Sequence, residues 1–145
     1  MKQSLFAAGF AVSLALACPM ANAGAGFQDG LWEIASTMEL GGMPMPGRPY
    51  VQTLCYTATD AADDGKIIPP VGDQECKVTE HQRAGSKLSW KVNCSGTNTG
   101  TGTGEIVLGG QSYEGAVMLH TQDARLGPVD MTYKIKARRL GACGR

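Results

Sequence analysis

The chain is poor in the side chains that carry out chemistry. Two histidines, His81 and His120, occur in 145 residues, and aromatic residues make up only 6%. No two cysteines stand at the CxxC spacing of a zinc or thiol-redox motif. Gly100, Gly102 and Gly104 lack the GxGxxG spacing, and no helix pattern follows them to cradle a phosphate. These gaps weigh against zinc, redox and nucleotide-dependent catalysis, so neither an enzyme nor a bound cofactor is expected. Charge of one sign is also missing, with 13 basic residues against 13 acidic. That balance argues against a nucleic-acid binder, which needs basic side chains to neutralise phosphates, and against a domain held to anionic lipid by charge. Beyond the N-terminus no apolar run approaches membrane-spanning length.

What the chain does have begins with an export signal. Lys2 precedes the apolar run Leu5 to Ala17, and Ala21-Asn22-Ala23 is a small-x-small cleavage site. Residues 1–23 read as a secretory signal peptide, and residues 24–145 as a single exported domain, monomeric and located in the periplasm. Lipidation at Cys18 is the weaker alternative, because Ala15 stands where leucine is favoured and Pro19 follows the cysteine. Loss of Lys2 leaves the mature part with a net charge of −1.

Cys55, Cys76, Cys94 and Cys143 remain after cleavage, an even number in an oxidising compartment, which predicts two disulfides rather than a metal site. Cys76 to Cys94 reads as a β-hairpin. Leu88, Trp90, Val92 and Cys94 alternate inward against Lys87, Ser89, Lys91 and Asn93, the period of two of a half-buried strand. In the preceding arm Cys76, Val78 and Glu80 share one face, and Lys77, Thr79 and His81 the other. A three-residue loop placing Arg83 opposite Lys87 would set Cys76 opposite Cys94. That pairing leaves Cys55 to Cys143.

The rest of the chain repeats the pattern. Gly30 to Leu40 is a strand with Trp32, Ile34, Met38 and Leu40 on one face. Gly41 to Gly47 carries glycine and proline and should break regular structure. Pro49 to Tyr56 is a second strand. Thr57 with Asp60 begins one short helix that also holds Asp63 and Asp64 and stops at Gly65. Lys66 to Glu75 is an extended loop. Gly96 to Gly104 leads into a strand continuing to Leu108, Ser112 to Thr121 returns, and Asp130 to Arg138 closes the series with Met131, Tyr133, Ile135 and Ala137 inward. The result is an all-β antiparallel meander of seven or eight strands with one short helix, closing as a small barrel or curling strongly.

Some of these residues could act. A catalytic pair would need a nucleophile and an acid beside histidine, whereas His81 and His120 fall on outward faces and every mature cysteine is paired. Asp60, Asp63 and Asp64 are explained by the dipole of their helix. The threonines at 97, 99, 101 and 103 form a row that could meet ice or glycan, and their plainer role is a strand that glycine lets bend. Lys134, Lys136 and Arg138 make the solvated face of the last strand. Met43 and Met45 flank Pro44 on the loop after the first strand, and Met118 stands two residues from His120. Thioethers suit Cu(I), but they equally make an adaptable apolar contact surface.

Gly30-Leu31-Trp32-Glu33, Met43-Pro44-Met45-Pro46, Cys55 with the Thr57-to-Asp60 turn, Cys76-Lys77-Val78-Thr79, Ser89-Trp90, Cys94-Ser95-Gly96, Gly104-Glu105-Ile106 and Arg138-Arg139-Leu140-Gly141-Ala142-Cys143 stand in an order that resembles the DUF3617 family of small exported proteobacterial proteins. The resemblance implies an envelope protein with no established activity or site residues. Gly30-x-Trp32 with Arg138 or Arg139 late in the chain is also similar to lipocalin and fatty-acid-binding barrels and to small barrel-form protease inhibitors. That likeness implies a tryptophan at the closed end of a barrel with an arginine packed on its ring. The expected function is therefore binding, of a small apolar ligand in a barrel cup or of an envelope protein partner, with Trp32, Met43 and Met45 as the candidate surface. A protease inhibitor inserting a mobile segment Gly24 to Asp29, and a Cu(I) protein using Met-x-Met, are the alternatives.

Overall fold

The computed structural model describes residues 26–71, 75–96 and 99–144. The segment read as a signal peptide, with Cys18, lies outside the described residues, as do Thr97 and Asn98. Eight strands form one antiparallel sheet: β1 (Gly30–Leu40), β2 (Met43–Pro44), β3 (Tyr50–Tyr56), β4 (Glu75–Ala84), β5 (Lys87–Ser95), β6 (Thr99–Leu108), β7 (Ser112–Asp123) and β8 (Gly127–Gly141). The spatial order is β2-β1-β8-β7-β6-β5-β4, with β3 also paired to β1. The sheet curls strongly without closing. β2 and β3, both paired to β1, form one edge and β4 the other, and α1 (Ala58–Ala61) and α2 (Asp64–Ile67) connect β3 to β4.

Alternation builds the core. On β5, Leu88, Trp90, Val92 and Cys94 are buried while Lys87, Lys91 and Asn93 are exposed, and on β8, Met131, Ile135 and Ala137 are buried. These side chains, with Ile34, Ile106, Leu108, Val117 and Leu119, make one apolar cluster. The glycine–threonine tract serves it by inversion, with threonines outward and glycines inward. A Cβ on Gly104 would lie 2.1 Å from Cε2 of Trp90, and one on Gly102 2.4 Å from Cδ2 of Leu119. The missing side chains on β6 are the space that its neighbours' large ones occupy.

The hairpin departs from the expected register at its tip. Ala84 pairs with Lys87 across a two-residue loop, Gly85-Ser86, in which Gly85 has φ +62°. Arg83 therefore faces Leu88 and not Lys87. A bulge between Val78 and Glu80 compensates by one residue, and Cys76 still stands opposite Cys94. The bulge also exchanges the faces beyond it. His81 pairs with Trp90 and turns toward α2, where a Cβ on Gly65 would lie 3.4 Å from its Cε1, while Glu80 turns outward to Lys91.

The single helix expected after Thr57 is two. Thr57 and Asp60 form a capping box, the Asp60 carboxylate accepting from the Thr57 N–H at 3.0 Å and its hydroxyl at 2.7 Å. Those bonds hold the Asp60 carboxyl below the usual carboxylate range. Asp63 caps α2 separately by accepting from the Gly65 N–H at 2.9 Å, so Gly65 lies inside the second helix and ends nothing. Asp64 is drawn away to Arg83 of β4 at 2.8 Å. Buried Ile67 and Val71 carry this connection into the core. The Met/Pro stretch is not wholly irregular either: Leu40 pairs with Met43 and Glu39 with Pro44.

Candidate binding surface

Trp32 is fully buried, and the arrangement around it differs from the expected one. Phe27 stacks on its ring at 4.4 Å between centroids, and Tyr113 stacks at 5.6 Å. The Trp32 Nε1–H donates to the Gln28 carbonyl at 2.9 Å. Arg139, opposite Trp32 on β8, spends its Nε–H on the Asp29 carbonyl at 2.7 Å, and the faces of the indole go to aromatic rings. The segment expected to be a mobile inhibitory arm is docked over its described part, with Phe27 in the core and the Gln28 N–H donating to the Gly110 carbonyl at 3.3 Å. Tyr56 completes the cluster, edge-on to Phe27 at 5.0 Å. The hydroxyls of Tyr56 and Tyr113 influence one another, yet both lack a hydrogen-bond partner of full geometry, and burial raises both phenol pKa values.

Met43 and Met45 lie at the other end of β1, roughly 26 Å along the strand from Trp32. The structure thus separates the three residues of the expected surface. Met43 is 71% exposed, Met45 44% and Tyr50 56%. Beside them is a groove of about 430 Å³ lined by Ser36, Met38, Met45, Pro46, Tyr50 and Tyr133, among others. Met38 and Tyr133 are partly buried and pack against the core, so the groove opens where the Met/Pro loop overhangs the core-facing side. The Met45 N–H donates to the Met38 carbonyl at 2.9 Å and fixes the loop to β1. Sequence reading missed Tyr50 and Tyr133 as groove residues. The alternation of the last strand placed Tyr133 on the inward face, but only strand order brings it and Tyr50 to Met38.

The other candidates disperse. Met118 and His120 project from the outer face of β7, away from Met38 and Met45, and His120 Nδ1 is 2.6 Å from Asp130 Oδ1 in a solvent-exposed pair. No cluster of three or more His, Cys, Asp or Glu suited to a metal occurs among the described residues. Of the basic row, Lys134 pairs with Glu39, and Arg138 with Glu33 at 2.9 Å. Both expected disulfides form, Cys55–Cys143 and Cys76–Cys94. No helix among the described residues is long and apolar enough to cross a membrane.

Fold and site together define a small disulfide-bonded domain built on one curled antiparallel sheet, with an apolar loop and groove at one end. Residues 27–143 match the family described as Protein of unknown function (DUF3617), and the chain belongs to that family. No match is found among curated proteins or among solved structures.

Proposed function

We propose that this is an exported, non-enzymatic binding domain of the bacterial envelope that captures an apolar segment of a protein partner on the Met/Pro loop. The exposure of Met43, Met45 and Tyr50 around the 430 Å³ groove carries this reading. Unbranched, polarisable methionines make adaptable contacts, and they are here displayed on a tethered loop beside a ready depression. The sheet's own side chains fill the core beneath Trp32, which supports the loop over a lipocalin-like cup as the place of contact. Two disulfides fit folding in an oxidising compartment. The docking of Phe27 removes the motive for an inhibitory N-terminal arm.

A photo-crosslinking residue at position 45, in cells exporting the full chain, tests the proposal. A discrete protein adduct is expected from position 45, 44% exposed, and not from Leu140, 45% exposed and at the opposite end of the β1–β8 pair. Equal labelling at the two positions would overturn the reading, and an adduct of lipid mass would replace the protein partner with a small apolar ligand.

A further inference from the structure

The two edges of the sheet are built differently. β4 carries Glu75, Lys77, Glu80 and Arg83, is broken by the bulge between Val78 and Glu80, and is tied to α2 through Arg83 and Asp64. Charges, bulges and a covering element are what keep an edge strand from pairing with another chain. Within β3 there is none of these. Its sequence is YVQTLCY, seven residues without a charge and rich in the aromatic and β-branched types that suit strands. Among the described residues its only strand partner is β1, and no backbone hydrogen bond runs from residues 50–56 to another segment. Gln52 meets the Pro70 carbonyl at 3.5 Å through its side chain, on the core-facing side that it shares with Ile34, so the backbone edge stays open.

An edge of this kind selects its occupant by chemistry. Its free N–H and C=O groups alternate along an extended backbone, and only another extended strand meets them in series. The ends of β3 say which strand. A two-fold axis through Thr53 overlaps all seven residues of two copies, antiparallel, with Tyr50 opposite Tyr56 and Val51 opposite Cys55. One step further out, Pro49, which has no N–H, falls opposite Thr57, whose N–H is already spent on the Asp60 carboxylate at 3.0 Å. The pair thus stops at both ends with no donor stranded there. Val51, Thr53 and Cys55, exposed together on the outer face, meet no charge across the join.

We propose that β3 is a self-pairing edge, and that two copies of this domain join there, antiparallel, into one continuous sheet. Such a pair makes about six to eight backbone hydrogen bonds, since every second residue pair exchanges two. One strand pair buries less than the ~1,600 Å² of a standard interface, so the dimer is weak and the monomer expected from sequence is its dilute form. The contact uses the same patch on both copies and closes on itself, and the charged, bulged β4 does not extend it, so the assembly stops at two. Antiparallel pairing puts the two Met/Pro loops at opposite ends of the join, so the inference is independent of what those loops capture.

Sedimentation of the oxidised mature protein from about 10 µM to about 1 mM tests this. A reversible monomer–dimer equilibrium is expected, with β3 amides gaining protection from hydrogen exchange as the dimer forms. Thr53 is exposed, and at the axis it faces its own copy. Thr53→Lys and Thr53→Glu should each weaken the dimer at least about tenfold, with melting curves like the parent's, and mixing the two variants should restore it. Thr79→Lys, an exposed change on β4, should leave the dimer intact. A protein that stays monomeric at the highest concentration, a dimer that survives Thr53→Lys in a folded variant, or a dimer lost with Thr79→Lys would each overturn the proposal.

Discussion

Phe27 lies flat on Trp32, with ring centroids 4.4 Å apart and planes 17° from parallel. The residue just outside the first strand therefore seals the tryptophan that opens it. Both side chains are buried, and truncating a buried aromatic costs about 3–5 kcal/mol. That is a large share of a small domain's total stability. Phe27→Ala and Trp32→Ala should each lower the urea midpoint strongly or prevent folding. Lys134→Ala and His120→Ala, which break exposed pairs, should change it little. A Trp32→Ala protein that melts like the parent would return this tryptophan to the list of ligand-contacting residues.

Gly104 tests whether the tract on β6 is packing or display. Its Cβ position is occupied by the Trp90 indole, which the core holds in place, so Gly104→Ala forces either the ring or the strand to shift. Overpacking of this kind costs about 1–3 kcal/mol. Thr101→Ala and Thr103→Ala, on the exposed face of the same strand, should stay within about 0.5 kcal/mol. Thermal melts of the three variants separate the two roles, since a display surface would lose function at the threonines and tolerate alanine at 104.

Much of this architecture is legible because one face of most strands is buried. A one-residue slip on β5 or β8 would exchange Trp90 or Ile135 for lysine, so the pattern fixes the register. β4 offers no such constraint. It is an edge strand, exposed on almost every side chain, and Lys77, Thr79, Glu80 and His81 place no penalty on slipping. That is why the bulge and the turning of His81 were not readable while the Cys76–Cys94 pairing was. The split at Asp63 was hidden for a related reason. An acid followed by Asp-Gly suits a helix end and a new helix start equally well. The groove was hidden more deeply. It takes residues from strands far apart in sequence, and its depth depends on the curl of the sheet.

The two disulfides should differ in what they contribute. Cys76–Cys94 spans 18 residues and Cys55–Cys143 spans 88. On the chain-entropy account the first contributes about 3 kcal/mol and the second about 4.5. Cys55→Ser/Cys143→Ser should therefore lower the urea midpoint more than Cys76→Ser/Cys94→Ser. Peptide mapping without reduction should give one pair joining the arms of the hairpin and one joining β3 to the C-terminal end. A peptide linking Cys55 to Cys76 would contradict both the pairing and the strand order.

Stability at alkaline pH should report on Tyr56 and Tyr113. Burial raises both phenol pKa values above the ordinary 10.0, and for Tyr113 the neighbouring Tyr56 adds to the rise. In the unfolded chain both ionise near 10.0, while in the native domain burial holds both protonated to higher pH. The native state then holds more protons, so unfolding becomes easier as pH climbs. The stability they contribute is fully present below pH 10 and is lost above it, at up to about 2.7 kcal/mol per pH unit for two groups. Exposed lysine–carboxylate pairs also weaken in that range, but such pairs are worth little. Tyr113→Phe should flatten the fall, and Tyr56→Phe/Tyr113→Phe should nearly remove it. Because both hydroxyls are buried without a well-formed hydrogen bond, neither change should cost stability at pH 7, and relief of an unsatisfied group can raise it. Urea melts at pH 7, 10 and 11 decide the matter. An unchanged slope in the double variant would mean that these phenols are not what alkaline unfolding titrates, and a large loss at pH 7 would mean that their hydroxyls are satisfied after all.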